Sequence, residues 1–191
     1  MKVFDSGMPE EAYWNSLFDT PAIVDWMDLE SVTDPIAEIG CGYGTFTVPM
    51  ARRTSQTIHA IDIEPTMIET ASRNVRQAGV LNVVFHCRDV LDTGTGLPSG
   101  VMGLVLLFNI LHSAERAQIL REASRMLKKG GRIAIIHWRK DVPTPRGPGV
   151  DSRPDRQAIV DCIKGLGLRI RMEGMVLPPY HWGMQLDKAV D

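Results

Sequence analysis

The feature that most constrains the fold of this chain is a short apolar segment that runs directly into three glycines at alternate positions. Gly40, Gly42 and Gly44 follow the apolar segment 35–39, and an amphipathic segment follows the glycines. Glycine lacks the Cβ atom that would keep a ligand away from the main chain, and it adopts positive φ at little steric cost. We therefore predict a strand, then a tight turn whose main chain approaches a ligand, then a helix.

After residue 35, short apolar segments alternate with longer amphipathic ones, which predicts an α/β fold with parallel strands connected by helices. One helix is expected to begin at Glu64-Pro65 and to end near Gln77. Another is expected to follow Ser113, which we interpret as its N-cap. The predicted strands are 35–39, 57–61, 82–86, 104–108, 132–138, 168–172 and 181–188.

The chain has 191 residues, a length that suits a single domain with a sizeable core. We expect residues 1–34 to form a short helical N-terminal cap and residues 35–191 to form the main domain. The segment 141–154 contains four prolines and two glycines, so we expect it to be an irregular loop. Loops of this length in compact domains are often functional.

Composition and charge exclude several classes of protein. A net charge of −2, with no run of Lys or Arg longer than two residues, argues against a nucleic-acid partner. No segment approaches the roughly 20 apolar residues of a membrane helix, and the N-terminus has no apolar signal core. The three cysteines are odd in number and favour free thiols in a reducing compartment, so we expect a cytoplasmic protein. No Cys or His spacing resembles a metal site, and no metal is expected.

The segment 38–44, Glu-Ile-Gly-Cys-Gly-Tyr-Gly, resembles the first motif of class I S-adenosylmethionine-dependent methyltransferases, of the type 11-like domain. Segments 58–67, 85–90, 106–112 and 125–131 are similar to four further motifs of that family, in the same order. The resemblance covers roughly residues 35–188. It implies a Rossmann-like, doubly wound, seven-stranded sheet that is mostly parallel, with the last strand antiparallel, and S-adenosyl-L-methionine as cofactor.

The resemblance also implies roles for individual residues. Asp62 would accept hydrogen bonds from both ribose hydroxyls, for which a carboxylate is suited. Asp89 would take the adenine amino group, with the main chain of Val90 at the ring and Met67 packed on it. Glu38 would orient the turn or meet the methionine ammonium, and Asn109 would give main-chain contacts. The expected cofactor-binding residues are Glu38, Gly40, Cys41, Gly42, Gly44, Asp62, Ile63, Met67, Asp89, Val90 and Asn109.

No catalytic residue is assigned by the sequence, although two histidines are candidates for acid–base chemistry. His137 ends a predicted strand at the edge where ligands bind in open α/β sheets, and His112 follows the preceding strand. A structural imidazole is the alternative for both. Candidate substrate contacts are Tyr13 and Trp14 in the N-terminal cap, His137, and Arg146, which with Arg153 could clamp an anion or remain a solvated loop cation.

We expect a methyltransferase that acts on a small molecule, with protein side chains left open as acceptors and the oligomeric state not predicted. The first alternative is a nicotinamide-dependent oxidoreductase, but its fingerprint requires glycine or alanine at position 45, which is Thr. A non-catalytic module that binds S-adenosylmethionine stays open. Methyltransferases of nucleic-acid bases carry Asp/Asn-Pro-Pro-aromatic after the fourth strand, where this chain has Asn109-Ile110-Leu111-His112.

Overall fold

The apolar segments form a central sheet in the computed structural model, which describes residues 7–190. All seven predicted strands are present in this range, in the spatial order β3-β2-β1-β4-β5-β7-β6. Their bounds are β1 Ile36–Ile39, β2 Ile58–Asp62, β3 Val83–Cys87, β4 Met102–Phe108, β5 Leu127–Trp138, β6 Leu168–Leu177 and β7 His181–Lys188.

The direction of the strands agrees with the predicted fold class. Strands β1 to β5 pair in parallel, whereas β7 is antiparallel to both of its neighbours, β5 and β6. The chain order reverses between β1 and β4, so the connections leave these strands in opposite directions. Such a reversal opens a crevice at the carboxyl ends of the strands, and ligands of open α/β sheets bind there.

Helices cover both faces of the sheet, so the central strands are buried on both sides. Every residue of β1 and β4 is buried. On one face, Ile36, Leu104 and Ala134 pack with residues of α2 and α3, and on the other face Ala37, Val105 and Ile133 pack with α6 and α7. The helices are α1 Glu11–Asn15, α2 Thr20–Trp26, α3 Thr47–Ala51, α4 Pro65–Gln77, α5 Val90–Thr93, α6 Arg116–Met126 and α7 Arg156–Cys162.

The predicted limits of α4 are confirmed, but the predicted start of α6 is wrong. α4 begins at Pro65 and ends at Gln77, two residues before Gly79 at φ +70°. α6 begins at Arg116, after the N-cap Glu115, because turns occupy most of residues 111–115 between β4 and the helix. Ser113 is therefore not a helix cap, and its buried hydroxyl has no hydrogen-bond partner within residues 7–190.

The segment before β1 packs into the core of the sheet. Leu17, Phe18 and Met27 are buried against β4 and β5. The Arg132 guanidinium of β5 donates to the Met27 carbonyl at 3.1 Å, and Gln185 of β7 donates to the Trp26 carbonyl at 2.8 Å. These contacts hold the C-terminal end of α2 against strands β5 and β7. No helix in the described range is long and apolar enough to cross a bilayer.

Candidate active site

A cavity of about 710 Å³ lies at the carboxyl ends of the strands, where the strand order reverses. Its size is within the range of about 300–1,000 Å³ usual for small-molecule pockets. The glycine turn after β1 and the connections after β2 and β3 line one end, which we call the β2–β3 end. Aromatic side chains and the proline-rich loop (residues 139–153) line the other, which we call the loop end.

Two of the three glycines in the turn after β1 line the cavity. Gly40 and Gly42 have φ of +79° and +53°, and the Gly40 amide donates to the Ile61 carbonyl at 2.7 Å. A Cβ on Gly40 would lie 2.6 Å from Cγ2 of Ile110, so glycine lets the turn pack directly against the connection after β4. Gly44 is placed differently, because its Cβ position faces Ala71 of α4 at 3.4 Å.

Asp62 ends β2 and is the main carboxylate of the β2–β3 end. Its side chain is 9% exposed, with Oδ2 accepting from the Gly42 amide at 2.9 Å and Oδ1 from the Glu64 amide at 3.0 Å. Burial raises the pKa of this carboxyl above its usual value, against the effect of the two amides. A carboxylate oxygen has two lone pairs, so each oxygen can accept one more hydrogen bond. The pair of oxygens therefore fits a vicinal diol such as that of ribose.

The other residues of the β2–β3 end surround the space next to Asp62. Ile63, Met67, Asp89 and Val90 all line the cavity. Asp89 also caps α5, accepting from the Leu91 amide at 3.0 Å and the Asp92 amide at 3.3 Å. These bonds set the orientation of the Asp89 carboxyl at the cavity wall.

Glu38 and Cys41 occupy different positions although they are close in sequence. Glu38 does not line the cavity; it is 1% exposed and accepts from the Thr47 hydroxyl at 2.5 Å, which joins β1 to α3. Burial raises the pKa of the Glu38 carboxyl to about 8. Cys41 lines the cavity, and burial raises the pKa of its thiol far above the usual range, so the sulfur stays protonated.

Asn109 forms the turn after β4, and its side-chain amide makes no hydrogen bond with the described residues. Its φ is +58°, a conformation that Asn adopts more readily than most residues. Neither Oδ1 nor Nδ2 of its buried side-chain amide has a hydrogen-bond partner within residues 7–190. Sequence reasoning gave Asn109 main-chain contacts only. The structure adds an amide group in the cavity wall that is available to a ligand.

His112 lies at the cavity wall, and its tautomer follows from its hydrogen bond. Nδ1 is 3.0 Å from the Asn109 carbonyl oxygen, which can only accept, so Nδ1 carries the proton. Nε2 then carries a lone pair. Burial lowers the pKa of this imidazole below its usual value, so the ring is neutral at pH 7.

His137 lies behind His112 and does not line the cavity. Its ring centroid is 6.0 Å from that of His112, and the residue is completely buried. His181 of β7 is also completely buried and stacks on Phe18 with ring centroids 4.5 Å apart. Within residues 7–190, neither nitrogen of either ring has a hydrogen-bond partner. Burial lowers the pKa of His137 well below its usual value and that of His181 to about 3.

Replacing His181 with phenylalanine should therefore stabilise the protein most in acid. Below about pH 6.5 the unfolded chain binds a proton that the folded protein excludes, so His181 costs stability as the pH falls. The slope is about 1.4 kcal/mol per pH unit. Denaturant unfolding at pH 7.5 and 5.0 should show the advantage of His181→Phe growing by about 2 kcal/mol. An advantage that does not change with pH would contradict the buried neutral imidazole.

Aromatic side chains line the loop end of the cavity. Trp14 of α1, Phe46 before α3, Phe108 of β4 and Trp138 of β5 all reach it. The Trp14 and Trp138 rings are 6.3 Å apart, whereas Tyr13 is 41% exposed and does not line the cavity. Phe46 and Phe108 were not predicted as site residues from the sequence. The position of Phe108 at the carboxyl end of a predicted strand was a signal that could have found it.

The proline-rich loop is irregular, as its prolines predicted, apart from a 3-10 turn at Val150–Ser152. Arg146 lines the cavity. Arg153 does not, because it is 6% exposed and holds the loop together. Its guanidinium donates to the Pro148 carbonyl at 2.9 Å, the Arg139 carbonyl at 2.5 Å and the Thr144 hydroxyl at 2.7 Å.

The strand order, the glycine turn and the carboxylate after β2 define the class of Rossmann-like methyltransferase folds. Residues 36–131 match the family model described as a methyltransferase domain, so the chain belongs to this family of S-adenosylmethionine-dependent methyltransferases. The cofactor of this family contains a ribose diol, and the two oxygens of the Asp62 carboxylate each have a lone pair left to accept a hydroxyl.

Two curated methyltransferases are similar to this chain in sequence. The 27-O-demethylrifamycin SV methyltransferase of Amycolatopsis mediterranei is 29% identical over 65% of this chain and 45% of its own length. The aklanonic acid methyltransferase DauC of a Streptomyces species is 32% identical over 56% of this chain and 49% of its own length. This chain thus spans about half the length of these curated relatives.

In structure, a SAM-dependent methyltransferase from Aquifex aeolicus is similar over 94% of both chains, with a TM-score of 0.79 and 19% sequence identity. At that identity the likeness concerns the fold, and its coverage of 94% is wider than the range 36–131 that the family model matches.

Proposed function

We propose that this protein transfers a methyl group from S-adenosylmethionine to a small-molecule acceptor. One observation carries the proposal: the turn and carboxylates of the β2–β3 end share a single cavity with the aromatic wall of the loop end. A cofactor bound at the first end would direct its methyl group toward an acceptor at the second. The two relatives named for small molecules, a demethylrifamycin and aklanonic acid, support this class of acceptor.

The residues of the β2–β3 end are those that would hold the cofactor. Asp62 would accept the ribose hydroxyls, and Met67, Ile63 and Val90 would surround the adenine with apolar surface. The Asn109 amide would find its missing partners in the polar groups of the ligand. Glu38 has no surface in the cavity, so it would not touch the cofactor. It would instead orient the glycine turn through its hydrogen bond with Thr47 of α3.

S-adenosylmethionine supplies a methyl group attached to a sulfonium, which leaves as a neutral thioether. The protein therefore has to align the acceptor and exclude water, and well-oriented reactants gain roughly 7–11 kcal/mol from proximity alone. The aromatic wall and the proline-rich loop would provide this alignment. The cavity holds Trp14 and Trp138 on its surface, and apolar walls of this kind leave little room for competing water.

We further propose His112 as the base for an acceptor that arrives protonated. Its Nδ1–H is held by the Asn109 carbonyl, which directs the lone pair of Nε2 away from that carbonyl. Its lowered pKa keeps the ring neutral and able to accept a proton. His137 has no surface in the cavity, so it cannot take this part directly.

Replacing His112 with asparagine should lower kcat by about 10²- to 10⁴-fold while leaving the affinity for S-adenosylhomocysteine nearly unchanged. The asparagine amide can still donate to the Asn109 carbonyl, but no proton-accepting nitrogen remains. The pH profile of kcat should also lose its fall in acid. A variant with full activity and an unchanged profile would contradict the assignment of His112.

The function is tested by methyl transfer from a cofactor that carries a deuterated methyl group. Purified protein is mixed with a cell extract separated into metabolite, RNA and protein fractions, and mass spectrometry identifies the labelled product. A labelled metabolite is the expected result, with the Asp62→Ala variant as the inactive control. Label in RNA or protein alone would contradict the small-molecule acceptor. Tight binding of S-adenosylmethionine without any transfer would indicate a binding module.

A further inference from the structure

The proline-rich loop carries four cations, and three of them are engaged in the structure. Arg139 pairs with Asp141 at 2.6 Å and Lys140 with Asp155 at 3.6 Å. Arg153 is buried in the loop and donates to two carbonyls and a hydroxyl. The guanidinium of Arg146 has no hydrogen bond or ion pair with any residue in the range 7–190, although it lines the cavity.

The two ends of the cavity differ in charge. Asp62, Glu64 and Asp89 line the β2–β3 end. Arg88 lines the same end, but its guanidinium lies against Gly96, where a Cβ would be 1.9 Å from Nη1. Arg146 is therefore the cation that the described chain presents at the loop end. A half-buried cation without a partner favours a ligand that carries a negative charge.

The position of Arg146 is set by its neighbours in the loop. Gly147 has φ +109° and lies flat on the indole of Trp138, where a Cβ would be 2.9 Å from the ring. Arg153 donates to the carbonyl of the next residue, Pro148, at 2.9 Å, and the Thr144 hydroxyl donates to the carbonyl of Arg146 itself at 2.8 Å. Arg146 is thus supported next to the Trp138 ring, and Trp14 stands 6.3 Å from that ring. The aromatic rings of Trp138 and Trp14 and the cation of Arg146 therefore line the same end of the cavity.

We propose that Arg146 binds a carboxylate of the methyl acceptor, and that the acceptor is a flat conjugated acid whose ring lies against the aromatic wall. This proposal rests on the proposed methyl-transfer function and names the acceptor class for the same cavity. Arg153 is a positioning residue in it, because it holds the loop and has no surface in the cavity. Arg146 is also close enough to Tyr43 of the glycine turn to act on it electrostatically. A cofactor bound at this turn would bring its own carboxylate near Arg146, and that carboxylate is the competing ligand.

The test uses two probes that differ only in charge, 3-hydroxy-2-naphthoate and 3-hydroxy-2-naphthamide. Calorimetry first gives the affinity of each variant for S-adenosylhomocysteine, and then the affinity of the saturated protein for each probe. The wild-type protein should bind the acid at least about tenfold more tightly than the amide. Arg146→Gln should abolish this preference, and Arg146→Lys should retain part of it because the charge remains without the fork geometry.

The matched control is Arg121→Gln, which removes one exposed cation of α6 that lies outside the cavity wall. It should keep both the preference for the acid and the affinity for S-adenosylhomocysteine. Equal binding of the two probes, or binding of neither, would overturn the proposal while leaving the methyl-transfer function intact. Loss of S-adenosylhomocysteine affinity in Arg146→Gln would assign Arg146 to the cofactor instead. Failure of the wild-type protein to bind S-adenosylhomocysteine would overturn the function and the proposal together.

Discussion

Replacing Asp62 with alanine should weaken the binding of S-adenosylhomocysteine by at least about 100-fold. The carboxylate can accept one hydrogen bond from each hydroxyl of the ribose, and bonds to a charged group contribute about 1.5–3 kcal/mol each. The substitution also removes the acceptor of the Gly42 amide, at 2.9 Å, and of the Glu64 amide, at 3.0 Å. The glycine turn and the connection after β2 would then lose the carboxylate that joins them.

Calorimetry with purified variants measures this effect, and denaturant unfolding shows whether the variant is folded. Asp92→Ala is the matched control, since it removes an exposed carboxylate of α5 that does not line the cavity. Its affinity should stay within about threefold of the wild-type value, a difference below 1 kcal/mol. Full affinity in a folded Asp62→Ala variant would refute the assignment of the β2–β3 end to the cofactor.

Replacing Gly40 with alanine should lower both stability and cofactor affinity. An L residue at φ +79° costs roughly 1–2 kcal/mol, and the new Cβ would lie 2.6 Å from Cγ2 of Ile110. Overpacking of this kind adds about 1–3 kcal/mol. The free energy of unfolding should therefore fall by about 2–5 kcal/mol, and displacement of the turn should weaken S-adenosylhomocysteine binding on the order of tenfold.

Two further variants separate the two causes. Gly79→Ala places the same residue at φ +70°, but no atom lies within 4 Å of its Cβ position, so only the backbone strain should appear. Combining Gly40→Ala with Ile110→Ala should restore part of the cofactor affinity, because the side chain that blocks the new Cβ is shortened. If Gly40→Ala and Gly79→Ala were equally destabilising, and cofactor binding were unchanged, close packing of the turn on Ile110 would have no functional role.

The strands and α4 could be predicted because their signals are local. Strands β1 and β4 are buried on both faces and are therefore continuous apolar segments in the sequence. Pro65 and Gly79 mark the two ends of α4 because each residue type suits one end of a helix. The start of α6 was predicted incorrectly from Ser113, since a serine before an amphipathic segment indicates a cap without showing how many turn residues intervene.

The cavity could be predicted only in part. Glycines and acids at predicted strand ends, such as Gly40 and Asp62, have roles that their residue types and spacing indicate. Residue type and spacing do not show which of the histidines lines the cavity. His112 and His137 both lie at strand ends in the sequence, yet the turn at Asn109 places one ring at the cavity and the other behind it. Arg146 and Arg153 likewise share one loop and differ because only Arg153 finds three acceptors.

By itself, the sequence determined the order of the strands along the chain, the position of the glycine turn, and the acids at the carboxyl ends of β2 and β3. These features are encoded by hydrophobic period and residue type, which act over a few neighbouring positions. The tertiary structure alone decided which polar residues line one cavity: Asn109, His112 and Arg146. Their burial and their place in the cavity wall depend on chain segments distant in sequence, and only packing of the folded chain brings those segments together.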